Sequence, residues 1–156
     1  MKKLAAMLML ATALVAPAVA MARDVTIETS LVQYSGHAAY LAVYLTNPDG
    51  SYNSTLWVSG QKSKYYGDLR GWARAASSAG SLNLDGITGA SVGAGRTLEI
   101  TLDLADALFD AGYTLHIDAA VEDMRDSPNE IAVPLTAAGA DTPVQGRRYI
   151  SSFVYQ

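Results

Sequence analysis

Alternating apolar and polar side chains run along most of the chain and predict β-strands that are buried on one face. In residues 24–32, every second side chain is apolar or threonine and points to the same side. Residues 37–46 are instead apolar on both faces, as expected of a strand buried inside a sandwich. The same reasoning predicts strands at residues 52–59, 97–104, 112–123, 131–135 and 149–155. The segment that contains Pro134 is expected at a sheet edge, because proline donates no backbone hydrogen bond.

A tight turn is predicted at Asn47-Pro48-Asp49-Gly50, between the second and third strands. Proline suits the first central position of such a turn, and glycine supplies the positive φ that follows. The returning strand is expected to place Leu56 and Val58 on one face and Trp57 on the other. Together these features predict a β-hairpin.

One short helix is predicted over residues 69–76, with Asp68 as its N-cap, because good helix formers follow a residue that can cap. Residues 103–109 are expected to add one helical turn. Strands do not alternate with long helices, which argues against a Rossmann-type sheet. The predicted fold is therefore all-β, an antiparallel β-sandwich of the immunoglobulin or fibronectin kind with one short helix.

The N-terminal segment has the features of a secretory signal peptide. Lys2 and Lys3 precede an uncharged apolar run over residues 4–15, and small residues follow. Both Ala18-Val19-Ala20 and Ala20-Met21-Ala22 are acceptable cleavage sites. The run is short for a membrane anchor. We predict a signal peptide over residues 1–22, a single β-sandwich domain over residues 23–156, and a periplasmic or secreted protein.

Composition excludes several classes of protein. The chain contains no cysteine, so disulfides, iron–sulfur clusters and thiolate zinc sites are excluded. Loss of Lys2 and Lys3 with the signal peptide takes the formal charge from −4 to −6, which argues against a nucleic-acid partner. No order of serine, histidine and aspartate along the chain suggests a hydrolase. Nothing in the composition points to an enzyme.

The most informative motif is Asp85-Gly86-Ile87-Thr88-Gly89-Ala90-Ser91, which reads D-G-x-T-G-A-S. It resembles the acceptor motif D-x-x-[S/T]-G-A-[S/T], at which an FAD:protein FMN transferase attaches FMN through a phosphodiester bond. The resemblance implies that Ser91 carries the FMN, although threonine is the commoner acceptor. It makes Asp85 and Thr88 recognition positions. Gly86 allows an exposed turn, while Gly89 and Ala90 keep side-chain bulk away from the hydroxyl.

The wider chain is similar to a family of small bacterial periplasmic proteins, DUF2271-like, that are often encoded beside PepSY-type membrane proteins and flavin transferases. The resemblance rests on the signal peptide, the Trp57 hairpin, residues 65–72 and the motif of residues 85–91. It implies an exported electron-transfer protein with covalent FMN that performs no bond-making chemistry itself. The implied partners are an FAD:protein FMN transferase and a PepSY-type membrane redox protein.

Two alternatives to a flavin carrier stay open. The first alternative is an unmodified periplasmic β-sandwich that acts as a binding or accessory module, in which residues 85–91 are only a loop. A weaker alternative is a calcium-dependent adhesion domain that uses the carboxylates of residues 122–126, although their spacing differs from that of a dedicated calcium loop.

Other side chains have a functional and a structural interpretation. The aromatic residues near the motif either stack on a flavin or fill the core; they are Tyr52, Trp57, Tyr65, Tyr66 and Trp72. Arg70 and Arg74 share one helix face and either pair with a phosphate or an acidic partner, or simply face solvent. His37 and His116 lack the supporting ligands of a metal site, and His116 is expected to be exposed.

Overall fold

The computed structural model describes residues 20–80 and 82–156, in which eight strands and one α-helix occur. Residues 1–19, which hold most of the predicted signal peptide, lie outside this description. The strands are Ala22–Leu31 (β1), Tyr40–Thr46 (β2), Tyr52–Ser59 (β3), Thr88–Gly89 (β4), Thr97–Ala105 (β5), Thr114–Ala120 (β6), Ser127–Pro134 (β7) and Ile150–Tyr155 (β8). The helix is Arg70–Ser77 (α1), and 3₁₀ turns cover Ser63–Asp68, Asp106–Leu108 and Ala137–Gly139.

The strands form two sheets, with the orders β5-β1-β8 and β4-β3-β2-β6-β7. Neighbouring strands are antiparallel, except that β4 runs parallel to β3. The order β3-β2-β6-β7 corresponds to strands C′-C-F-G of immunoglobulin-type sandwiches, and β5-β1 corresponds to E-B. The last strand, β8, takes the position of strand A. The predicted β-sandwich with one short helix is therefore confirmed.

The main core lies between the two sheets. The alternation that predicted β1 is confirmed, since Val25, Ile27, Thr29 and Leu31 are all buried. Equivalent inward-facing side chains of the other sheet complete this core; they include Leu41, Val43, Leu45, Leu115, Ile117 and Ile131. Phe153 and Tyr155 join it from β8.

A second, smaller core covers the outer face of the five-stranded sheet. Leu69, Trp72 and Ala76 of the helical segment pack there on Ala42 and Tyr44 of β2. This packing explains why the second predicted strand is apolar on both faces. One face meets the opposing sheet, and α1 covers the other.

The predicted N-cap of the helix is wrong. Leu69, not Asp68, precedes the first helical residue, and no side chain of that position caps the helix. The buried carboxylate of Asp118 on β6 does so instead, because its Oδ2 accepts a hydrogen bond of 2.6 Å from the Trp72 N–H. Gly71 makes room for this contact, since a Cβ there would lie 2.6 Å from the same oxygen.

The prediction that His116 is exposed is also wrong. Its ring is half-buried and stacks on Tyr44, with centroids 4.9 Å apart. One ring nitrogen shares a 3.0 Å hydrogen bond with the Thr46 hydroxyl and the other a 2.8 Å hydrogen bond with Asn129 Oδ1. Burial lowers the pKa of His116 below its usual value.

A β-bulge changes the predicted faces of β3. The register pairs Val43 with Trp57 but Tyr44 with Thr55, so that Leu56 is the extra residue. Trp57 and Leu56 therefore both pack against the main core, while Val58 belongs to the core under the helix. The sequence predicted Leu56 and Val58 on one face and Trp57 on the other, because strict alternation does not account for the bulge.

Strand ends differ from the predicted ones by a few residues. β2 begins at Tyr40 rather than at residue 37, and β7 begins at Ser127 rather than at residue 131. The predicted edge position of β7 is confirmed, because β7 ends the order of the larger sheet. Among the described residues, none of the helices has the length and apolarity needed to cross a bilayer.

Candidate functional site

The D-G-x-T-G-A-S segment forms the edge of the five-stranded sheet. Its Thr88 and Gly89 make up β4, which pairs in parallel with the end of β3. Val58 donates a backbone hydrogen bond of 2.9 Å to the carbonyl of Ile87, and Gly60 donates one of 2.7 Å to that of Gly89. The backbone is therefore fixed on the N-terminal side of Ala90 and Ser91.

A second pair of hydrogen bonds fixes the other side of the acceptor position. Val92 and Ala39 exchange backbone hydrogen bonds of 2.7 and 2.9 Å in an antiparallel bridge. Val92 is buried, whereas Ala90 is exposed and Ser91 is partly exposed. The serine thus belongs to a short unpaired stretch between two anchored points. Ser91 is therefore partly exposed between two backbone segments that are held by hydrogen bonds.

The start of the segment is a solvent-facing turn. Ile87 donates a 3.2 Å backbone hydrogen bond to Leu84, and Gly86 has a φ of +77°. A positive φ at this third position is typical of a type II turn, which explains the glycine. Asp85 is exposed at the tip, and its N–H donates to Asn83 Oδ1 at 2.9 Å. The carboxylate predicted as a recognition position is therefore open to a second protein.

Gly89 is needed for a different reason. A Cβ at Gly89 would lie only 2.5 Å from Cζ2 of Trp57, so the indole lies directly against the glycine backbone. The indole is further held by a 3.1 Å hydrogen bond from its Nε1 to Ser59 Oγ. The small residue of the motif thus makes room for an aromatic ring.

Ser91 lies between two clefts. The larger one, about 360 Å³, is lined by Trp57, Arg96 and Glu99 as well as by Ala90 and Ser91. The smaller one, about 160 Å³, has a lining that consists of Tyr40, Gln61, Lys62, Ala90 and Ser91. Each cleft therefore offers one aromatic ring and one cationic side chain beside the same hydroxyl.

Tyr40, the aromatic residue that lines the smaller cleft, is packed against three other residues. The ring of Tyr40 lies over Gly60, where a Cβ would be 2.0 Å away and where φ is +122°. Tyr65 and Tyr66 meet the Tyr40 ring edge-on, with centroids 5.5 and 6.4 Å away. Lys62 also lines this cleft and is exposed. This arrangement suits a group that is planar at one end and anionic at the other.

Not all the aromatic residues singled out in the sequence lie at this site. Trp57 lines the larger cleft, and Tyr65 and Tyr66 back the smaller one through Tyr40. Trp72 is buried under the helix, and its Nε1 donates a 2.8 Å hydrogen bond to Thr55. Tyr52 shares a 2.7 Å hydrogen bond with the same hydroxyl.

No sequence pattern predicted several residues that line the two clefts, among them Tyr40, Lys62 and Arg96. Only the fold brings Tyr40 and Lys62 beside residues 85–91. Conversely, Arg70 and Arg74 line a cleft beside β7, at the sheet edge opposite β4. Pairing of these two arginines with a phosphate at Ser91 is therefore excluded by the topology.

Metal binding has no support in the described part of the chain. Across residues 20–80 and 82–156, no group of three or more His, Asp or Glu side chains lies close enough together to hold a metal ion. This includes residues 122–126, which the sequence offered as a calcium loop. His37 and His116 also do not share a site, since His116 is engaged by Thr46 and Asn129.

Comparison with known protein families identifies a match that covers most of the chain. The family model described as "Predicted periplasmic protein (DUF2271)" matches residues 22–152, which include all of residues 85–91. No curated protein and no solved structure matches the chain. The match confirms a periplasmic family of the kind that the sequence resembles. The association with PepSY proteins and flavin transferases stays a prediction.

Proposed function

The chain belongs to the DUF2271 family of predicted periplasmic proteins, and from that premise we propose that it is an exported electron-transfer protein with FMN joined to Ser91. The observation that carries the proposal is the presentation of this hydroxyl. Ser91 lies at the surface, in an anchored segment of small residues, between two clefts that each hold a ring and a cation.

The attachment step needs a second protein and FAD. In it, Ser91 Oγ attacks the FMN-side phosphorus of FAD, forming a new P–O bond as the pyrophosphate bond breaks. AMP leaves, and the serine proton passes to a base of the transferase, because a free hydroxyl is a weak nucleophile. The small side chains of Gly89 and Ala90 leave the approach to Ser91 Oγ open.

The edge position of the motif suits recognition by a transferase. β4 pairs with β3 on one side only, so the backbone of its other side is unpaired among the described strands. A partner can add a strand to such an edge and read alternate side chains. Thr88 on β4 and Asp85 in the turn that precedes it are both exposed, so a partner can contact them.

We assign the attached FMN to the larger cleft. At about 360 Å³ it has more than twice the volume of the smaller one, at about 160 Å³. The Trp57 indole would stack on the isoalloxazine, and Arg96 would compensate the negative charge that a phosphodiester retains. The attached flavin supplies the redox chemistry; the protein holds the ring and its phosphate beside a partner.

Co-expression with an FAD:protein FMN transferase tests the proposal. A denaturing gel viewed under ultraviolet light is expected to show flavin fluorescence on the wild-type band and none on Ser91→Ala. Ser54→Ala is the matched control, because Ser54 is also partly exposed but lies outside the motif, and it should stay fluorescent. A dark wild-type band beside a fluorescent known acceptor would rule the proposal out.

A further inference from the structure

Two adjoining clefts far from Ser91 are lined by arginines. The first, about 460 Å³, contains Arg70, Arg74 and Arg125. The second, about 360 Å³, contains Arg125, Arg147 and Arg148. Both share Arg125, so they form one continuous surface, which we call the arginine face. All five arginines are exposed.

Three separate parts of the fold build the arginine face. Arg70 and Arg74 lie on α1, Arg125 lies in the connection from β6 to β7, and Arg147 and Arg148 precede β8. No sequence motif joins these parts, so the clustering exists only in the folded protein.

Buried carboxylates hold two of these parts in place. Glu130 on β7 is buried, and its Oε1 accepts hydrogen bonds from the N–H groups of Arg148 (2.7 Å), Tyr149 (2.6 Å) and Ile150 (2.9 Å). Asp118 does the same for the first turn of α1 through Trp72. The backbone of these two parts of the arginine face is therefore held in place before any ligand binds, so little backbone order is lost there on binding.

One arginine is fixed through its side chain as well. Arg147 Nη2 donates to the carbonyls of Pro128 (2.5 Å) and Asn129 (2.7 Å). Arg70 Nε lies 3.4 Å from Asp126 Oδ2, which is the sole carboxylate among the described residues that line the two clefts. Arg74, Arg125 and Arg148 are thus the arginines best placed to engage a ligand.

The charge of this face contrasts with that of the chain. The sequence has a formal net charge of −4, yet five of its seven arginines meet on one surface. Positive charges that share one surface repel each other, which disfavours the folded state when no anion is bound. Bound anionic groups would remove that repulsion.

We propose that the arginine face binds a segment of a partner protein that is rich in aspartate and glutamate. The planar guanidinium fork matches carboxylates in a bidentate geometry. The clefts are open and leave every arginine exposed, unlike the enclosed sites that bury most of a small ligand. They also lie side by side, so one extended segment can cross both.

This proposal does not depend on the flavin at Ser91. The arginine face lies at the β7 side of the larger sheet, and the motif lies at the opposite edge, on β4. The docking site and the proposed cofactor site can be tested separately.

Fluorescence anisotropy of a labelled peptide tests the proposal with the unmodified protein. The probe is a fluorescein-labelled peptide of alternating glutamate and glycine, and the reference peptide has glutamine in place of glutamate. Binding is measured at about 0.05 M salt, where screening is weak. Arg74→Glu/Arg125→Glu is compared with Lys62→Glu/Lys64→Glu, which changes the net charge equally but alters none of the residues that line the two clefts.

We expect the glutamate peptide to bind and the glutamine peptide not to bind. The arginine variant should weaken binding about tenfold or more, and the lysine variant less than about twofold. Circular dichroism and the melting temperature establish that both variants are folded. Equal weakening by the two variants, or no binding by the wild type, would overturn the proposal. Binding to vesicles that contain phosphatidylglycerol, without binding to the peptide, would assign the face to a lipid surface and overturn it too.

Discussion

The indole of Trp57 lies against Gly89 so closely that a Cβ on the glycine would be 2.5 Å from Cζ2 of the ring. This contact joins the hairpin to the motif segment, because Trp57 belongs to β3 and Gly89 to β4. The glycine of the motif therefore has a structural role in this protein in addition to its small size beside Ser91.

Gly89→Ala is expected to destabilise the protein by about 1 to 3 kcal/mol, the usual effect of an added methyl group in a tight contact. Either the indole or β4 must shift, so flavin transfer to Ser91 should also fall. Gly67→Ala is the control, because no atom lies within 4 Å of its Cβ position and it should change stability little. Urea unfolding measures both variants, and an unaffected Gly89→Ala would show that the contact is not important.

Asp118→Ala is expected to lower the free energy of unfolding by about 3 kcal/mol or more. Its buried carboxylate accepts from the N–H groups of Trp72 and Asn129 and from the Tyr44 hydroxyl, all of which would lose their partner. Asp68→Ala should be nearly neutral, since Asp68 does not cap the helix. Denaturant unfolding measures the free energy of unfolding of both variants. A larger effect of Asp68→Ala than of Asp118→Ala would contradict the assignment of Asp118 as the helix cap.

Stability is expected to fall in acid partly because of Glu130. Burial alone raises the pKa of this carboxyl, but hydrogen bonds from Ser127 and from the N–H groups of Ile150, Arg148 and Tyr149 hold the pKa below its usual 4.5. A carboxyl with a lowered folded pKa stabilises the protein above its unfolded pKa. That contribution is lost as the pH falls through the folded value.

Glu130→Gln should therefore be less stable than the wild type at pH 7, by about 1 to 3 kcal/mol for the weakened charged hydrogen bonds. The difference should shrink as the pH is lowered below the usual carboxyl pKa of 4.5. Urea unfolding at a series of pH values measures it. A difference that stays constant with pH would show that the charge of Glu130 does not stabilise the fold.

If the flavin stacks on Trp57, its fluorescence in the native protein should be quenched. Trp57→Leu should then give brighter native fluorescence than the wild type at equal flavin content, while the two should be equally bright after denaturation. Trp72→Phe serves as the control, because Trp72 is buried beneath α1 and away from Ser91. Equal native brightness of wild type and Trp57→Leu would place the ring elsewhere.

The features that the sequence predicted correctly depend on neighbouring residues. The turn at residues 47–50, the strand from Tyr52 to Ser59 and the inward face of β1 each follow from a local pattern, and the structure confirms them. Residues 85–91 likewise form a contiguous motif that is visible in the sequence.

The features that the sequence missed depend on residues that are far apart in the chain. The Asp118 cap on α1 joins residues 46 positions apart, and the cleft at Ser91 draws on both Trp57 and Arg96. The bulge at Leu56 follows from the pairing of β3 with β2, which no local alternation reveals. Such contacts are decided by packing, so propensity and periodicity do not specify them.

The central claim is tested most directly by locating FMN on the polypeptide. After co-expression with an active transferase, tryptic digestion releases the segment between Arg74 and Arg96, which contains the whole motif. We predict that mass spectrometry of this peptide shows the added mass of FMN, and that fragmentation places it on Ser91. An unmodified peptide, or FMN on Thr88 instead, would contradict the account.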